Sequence, residues 1–291
     1  MENENLIWHE RPGIFKPYLI LGLSGWANAG EVPSSVIWYL LSRFEAVLFA
    51  EIKPDRFYIY QSAGSESKRP VVNIENGLIQ SYSLVTTNFW YHKAELGEHD
   101  IIFVQGPEPE QGWNEYTEII LSLIEEYQVD KIITLGGTFD AIPHTIPTRI
   151  TGVVSNSDLK AEVEEQGIEL TSYKGPSSIH TFLMVSAAKK DIPMISLWAH
   201  TPHYIQVTNF IACHDIMLKL SGLLGLTIDL EVARKDSEYL VSQINEAIEK
   251  KPELREYLKT LESEYRKGNP DSQRSINRNI VKEIEELFPD A

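Results

Sequence analysis

Five stretches of this chain are apolar almost without a break: residues 18–23 (YLILGL), 46–52 (AVLFAEI), 100–105 (DIIFVQ), 131–135 (KIITL) and 194–199 (MISLWA). A strand with one face in water alternates apolar and polar residues, whereas a strand covered on both faces does not. These runs therefore predict buried parallel strands. Helical patterns separate most of them. Residues 34–44 follow Pro33, and residues 113–128 carry early acids and an apolar stripe at Ile119, Ile120, Leu123 and Ile124. Residues 157–167 open on Ser-Asp and end at a glycine, and residues 177–190 follow Gly175-Pro176 and end on two lysines. Those termini match helix caps and the charge preference of the macrodipole. Alternating strands and helices predict an α/β fold, a three-layer α/β/α arrangement around a mostly parallel sheet.

Residues 56–90 break the rhythm. Alternating apolar residues and an Asn76-Gly77 turn signal predict short antiparallel strands there, and residues 146–154 suggest another. From Asp229 onward no buried-strand pattern remains, and 15 acids interleave with 11 bases. Amphipathic helices are expected at 231–249, 253–267 and 275–288, with Leu254, Tyr257, Leu258 and Leu261 needing cover. The expected organisation is a core domain over residues 1–228 and an acidic helical extension over 229–291.

The chain has 42 acids against 26 Lys and Arg, a formal net charge of −16, and no basic run. Such a surface repels nucleic-acid backbones and anionic lipid, so neither is an expected partner. No apolar run has the length of a membrane span. Cys213, the single cysteine, falls in a helix-period stretch and is expected to be a buried, inert thiol. The first residues lack the basic and apolar regions of a signal peptide, and with no disulfide to form, a cytoplasmic location is expected.

The functional signal lies just past the strands. The segments GWANAGEVP (25–33), GPEPEQG (106–112), GGTFDAIPHT (136–145) and HTPHY (200–204) come directly after strands, and YKGPSS (173–178) precedes a helix. Parallel strands point their C-terminal ends to one edge, where open α/β sheets bind ligands. A polar cleft is expected there, formed by Asn28, Gly30, Gly106, Glu108, Gly136, Gly137, Thr138, Thr145, Gly175, Ser177 and Tyr204.

The acid–base candidates on this edge are His144, His203, Asp140 and Glu31. An imidazole titrates near neutral pH, and neighbouring carboxylates can raise one another's pKa. The alternatives are structural. The histidines would serve as hydrogen-bonded turn residues, Glu31, Glu108 and Glu110 as helix caps, and the glycine pair as a turn or a close backbone approach. His144, His200 and His203 with Glu108 or Asp140 also form a weak metal pattern, but no His-Glu-x-x-His helix exists, and neither metal nor cofactor is expected. GGTFD does not continue as Gly-x-Gly-x-x-Gly, no P-loop occurs, and Trp26 replaces the second glycine of a nucleophile elbow in GLSGW.

GWANAG, GPEPE, IPHT and PHY, in this order and context, resemble the PAC2 family, named for a proteasome assembly chaperone. Pro143-His144-Thr145 together with Pro202-His203-Tyr204 is the most specific part of the match, and the similarity spans about residues 19–230. The resemblance implies a phosphorylase/hydrolase-like α/β/α domain, self-association into a homo-oligomer, and proteasome subunits as partners, since relatives help assemble the 20S proteasome. A long chain with a helical extension resembles the prokaryotic branch. Many relatives have Asp where this chain has Asn28, and LFPDA lacks the hydrophobic-Tyr-any-residue ending by which some archaeal relatives dock.

Two function classes stand at this point. One is a self-associating interaction module of chaperone type, with Trp90, Tyr91 and Trp113 as aromatic anchors. The other is an enzyme or small-ligand binder at the strand-end cleft, with hydrolase- or ligase-type chemistry on a small metabolite.

Overall fold

The apolar runs at 18–23, 100–105, 131–135 and 194–199 form β2 (Tyr18–Ser24), β7 (Ile101–Pro107), β8 (Lys131–Asp140) and β11 (Met194–Pro202). These four are mutually parallel and adjacent, in the order β7-β2-β8-β11. The computed structural model describes residues 4–61, 69–95 and 99–267.

The run at 46–52 forms β3 (Val47–Ile52), but both its neighbours are antiparallel: β1 (Leu6–Trp8) and β6 (Thr87–His92). An unbroken apolar run reports burial on two faces and carries no information on the direction of the adjoining strands. On the other flank, β9 (Ile150–Val154) pairs antiparallel with β11, and the short β10 (Glu169–Leu170) completes a nine-stranded mixed sheet, β1-β3-β6-β7-β2-β8-β11-β9-β10. A separate two-stranded hairpin, β4 (Val71–Glu75) and β5 (Leu78–Ser83), uses the Asn76-Gly77 turn. Residues 57–60, expected as a strand, instead follow a 3-10 turn at Pro54–Arg56, and the Tyr58 hydroxyl donates to the Pro107 carbonyl (2.9 Å).

Strand residues feed two cores by period-2 alternation. Leu19, Leu21, Leu23, Ile102, Val104 and Ile132 join one core with α2 (Trp113–Glu126) and α4 (Ile179–Ala188). Tyr18, Ile20, Ile101, Phe103, Ile133 and Leu135 join the other with α1 (Val32–Arg43), α3 (Leu159–Glu165) and α5 (Phe210–Leu224). Helices on both faces give the three layers. Cys213 lies inside the second core, where burial pushes its thiol well up.

Beyond α5 come two more helices, α6 (Glu231–Lys250) and α7 (Pro252–Arg266). Leu240, Ile244 and Ile248 from α6, and Leu254 and Leu261 from α7, enclose Tyr204 and Ile205 just past β11. The apolar residues of the tail thus find their cover on the segment that carries the Pro-His-Tyr motif. Residues 275–288 lie outside the described residues.

Candidate functional site

Because β2, β7, β8 and β11 are parallel, the segments leaving Ser24, Pro107, Asp140 and Pro202 emerge on one edge of the sheet. There they bond to one another. The Glu108 amide donates to the Ser24 carbonyl (2.7 Å), Gly137 to Ala27 (2.7 Å), Asn209 to Gly30 (2.8 Å) and His203 to Asp140 (3.1 Å). The Glu108 carboxylate accepts from the amides of Trp26 and Ile179, both at 3.1 Å, and so brings the segment before α4 into the set. Glu108 therefore serves the start of α4 rather than the helix that follows it in sequence. Glu110 accepts from the Ile59 amide (2.6 Å), and Glu31 from the Thr208 hydroxyl (2.5 Å). The Asn28 side-chain carbonyl accepts from the Ser34 amide (3.2 Å) within α1. Gly175 and Ser177 are exposed.

Gly136 and Gly137 are not loop residues. They lie inside β8, in register with Trp198 and Ala199, and neither has positive φ. What they supply is room. A Cβ on Gly136 would sit 2.7 Å from the Trp198 indole, and one on Gly137 would sit 2.4 Å from the Ala29 carbonyl oxygen. Gly106 is likewise closed in by the Thr86 carbonyl, at 2.8 Å. Backbone cannot step aside as a side-chain tip can. Gly137→Ala is therefore expected to cost about 3 kcal/mol, seen as a lowered thermal midpoint. Gly225→Asn, at an open αL helix end, should leave the midpoint within about a degree or two. Equal midpoints for the two variants would contradict this packing.

His144, His203 and Tyr204 form one buried group. The Tyr204 hydroxyl accepts from the His144 amide and donates to His144 Nδ1, each at 2.7 Å, so Nε2 carries the ring proton and donates to Asn245 Oδ1 in α6 (3.1 Å). His203 has the opposite tautomer. Its Nδ1 donates to the Asp140 carbonyl (3.1 Å), and its Nε2 accepts from the Tyr257 hydroxyl in α7 (2.6 Å). Burial lowers both imidazole pKa values and pushes the Tyr257 phenol up to about 12, so all of these groups are neutral in the physiological range. Thr145 donates to Glu262 of α7 (2.6 Å). Four of the sequence candidates, His144, Thr145, His203 and Tyr204, thus face the C-terminal helices.

Asp140 belongs to a different group. Its carboxylate meets His200 Nδ1 at 2.8 Å and the Ala141 amide at 2.7 Å, with Arg149 at 3.8 Å. Burial raises its pKa, but the His200 hydrogen bond and charge, with Arg149, outweigh this and hold it below the ordinary value. Arg149 also forks onto Glu169, at 3.0 and 2.9 Å. His200 Nε2 meets the Thr151 hydroxyl at 3.2 Å. Carboxylate, imidazole and hydroxyl in line have the order of a nucleophile relay. Here the Thr151 hydroxyl sits in mid-strand on a residue 3% exposed, out of reach of an incoming carbonyl. Thr138, in register with His200, is half-buried beside this group. Among the described residues no three His, Cys, Asp or Glu side chains converge as metal ligands.

A depression beside these groups is lined by Ile142, His144, Ile146, His200 and Ile211 and encloses about 220 Å³, open solvent included. That is below the roughly 300–1,000 Å³ of ordinary metabolite pockets.

A family profile described as the PAC2 family matches residues 22–248. The chain belongs to the PAC2 family. Its fold is similar to that of a Mycobacterium tuberculosis proteasome-assembly chaperone homologue (24% identity, TM-score 0.74), covering 83% of this chain and 99% of the other. A PAC2 family protein from Streptomyces avermitilis is 26% identical with a TM-score of 0.73, over 83% of this chain and 99% of that one. Pyrococcus furiosus PbaB, an archaeal proteasome activator, is 21% identical with a TM-score of 0.62, over 83% and 97% of the two chains. No curated protein sequence matches. The PAC2 match begins within β2 and runs to the last turns of α6, so it takes in the helix that receives His144.

Several residues of this PAC2 chain escaped sequence reasoning. Arg149 and Glu169 flank Asp140 but come from just before β9 and from β10, whereas His200, weighed in the sequence as a metal ligand, pairs with the Asp140 carboxylate instead. Asn245 lies among the polar residues of an amphipathic helix, and Tyr257 was legible as an apolar position needing cover but not as the partner of His203. His180, in α4, is 1% exposed with neither ring nitrogen hydrogen-bonded among the described residues, and burial lowers its pKa to about 4. Its only signal was a lone histidine in an apolar helix. The aromatics expected as exposed anchors are half-buried, with Trp113 donating to the Pro109 carbonyl (2.8 Å). On the edge itself, Trp26 (60% exposed), Phe139 (44%) and Tyr173 (68%) face water instead.

Proposed function

We propose that this chain is a PAC2-type protein-interaction module, one that self-associates and assists assembly or activation of a 20S proteasome or another multisubunit complex. Family membership carries the reading. Relatives of the same fold are described as a proteasome-assembly chaperone homologue and as an archaeal proteasome activator. The chemistry of the strand-end edge supports it: its acids and imidazoles are spent on one another, on backbone amides and on the C-terminal helices. Exposed Trp26, Phe139 and Tyr173 on that edge are residue types that anchor protein interfaces.

The alternative, an enzyme or small-metabolite binder, has the Asp140–His200 pair in its favour and lacks an accessible nucleophile beside it. Mixing the purified full chain with proteasome α- and β-subunits from the same organism tests the main reading. Native gels and peptidase assays should show direct binding with faster assembly or raised activity. No binding to proteasome subunits, and no stoichiometric partner from native lysate, would overturn it.

A further inference from the structure

The β4–β5 hairpin has an apolar face that nothing among the described residues covers. All residues of both strands are exposed. Asn76 and Gly77 both have positive φ, 50° and 79°, as a tight two-residue turn requires. Val72 pairs with Tyr82 and Ile74 with Ile79, but the register shifts between Asn73 and Ile74 and leaves Gln80 without a cross-strand partner. Without that bulge, Ile79 and Tyr82, three residues apart, would point to opposite faces. With it, Val72, Ile74, Ile79 and Tyr82 share one face, 45%, 58%, 69% and 62% exposed. Asn73, Glu75, Ser81 and Ser83 take the other, together with Val71 and Leu78.

We propose that this face is where two copies of the chain associate. The proposal rests on the self-association reading above and names its surface. An isolated two-stranded ribbon is marginal in water, so this one needs a cover. Its four-residue face offers roughly 500 Å² of accessible side-chain surface, and Leu84, exposed just past the strand end, brings it toward the ~600 Å² per partner at the lower end of specific interfaces. Charge selects the occupant. The chain carries −16, yet residues 69–84 hold only Arg69 and Glu75, net zero. Two acidic copies repel elsewhere and meet at least cost here. A partner drawn by the acidic surface would instead bind where the carboxylates are. A two-fold contact also requires a patch that complements itself, and four apolar side chains with no lone charge satisfy that.

The test uses the full chain and the double variant I74D/I79D, with N73D/S81D as the opposite-face control. Because all four positions are exposed, circular dichroism and thermal midpoints should match the wild type. Sedimentation across a concentration series should show an oligomeric wild type and control, with association of I74D/I79D weakened on the order of 100-fold or more. An oligomeric wild type with I74D/I79D unchanged overturns this surface while leaving self-association standing. A wild type that is monomeric up to its solubility limit overturns both. Hairpin amides protected from exchange in that monomer would then assign the cover to another stretch of the same chain.

Discussion

Tyr204→Ala is expected to lower the unfolding free energy by about 4 kcal/mol and to release α6 and α7 from the sheet edge. The ring is 2% exposed, and Leu240, Ile244, Ile248, Leu254 and Leu261 join it in one apolar cluster. Its hydroxyl is also the partner of both the His144 amide and His144 Nδ1. Alanine removes the packing and the hydrogen bonds together. Tyr204→Phe separates them: keeping the ring but leaving the buried His144 amide unpaired should cost about 1–3 kcal/mol. Denaturant titration measures both, and limited proteolysis near Lys250 and Lys251 reports release of the helices. If the alanine variant stays within about 1 kcal/mol of wild type, Tyr204 does not hold the extension in place.

Acidification should weaken the fold well before the carboxylates titrate. His180 has a folded-state pKa of about 4, below the ordinary 6.5, because burial disfavours its charged form. Between those values the unfolded chain binds a proton that the folded chain refuses. The stability is therefore fully present above pH 6.5 and falls progressively as the pH drops toward 4, by roughly 3 kcal/mol from this side chain. His144 and His203, also lowered by burial, act in the same direction from 6.5 downward. Asp140, lowered from 3.8, adds its loss only below that window. Urea titrations at pH 7 and pH 4.5 measure the drop, and His180→Met should abolish most of it. A wild type equally stable at both pH values would refute the assignment.

The four central strands were legible because two-sided burial leaves its mark residue by residue in runs such as residues 18–23 and 131–135. Strand direction left no such mark, which is why β3 looked parallel. β1 and β10 are too short to show a period. The glycine pair of β8 looked like a loop because glycine has no side chain to register burial, and its reasons, the Trp198 indole beside Gly136 and the Ala29 carbonyl beside Gly137, come from segments remote in sequence. The convergence of Asn28, Gly30, Glu108, Asp140 and His203 on one edge followed from the parallel order alone. Where the imidazoles of His144 and His203 turn did not, since Asn245 resembles a residue of a solvated helix surface and the apolar stripe that holds Tyr257 does not say what it covers.

The central position of β2 has a consequence for synthesis. Its partners Ile101 to Pro107 and Lys131 to Leu135 leave the ribosome long after Tyr18 to Ser24, whose six deepest residues have no use for water. Until the later strands emerge, this greasy N-terminal segment stands open to adventitious pairing. A nascent chain of this protein thus passes through a vulnerable interval, and its yield in cells should depend on holdase capacity or on slow, low-temperature expression.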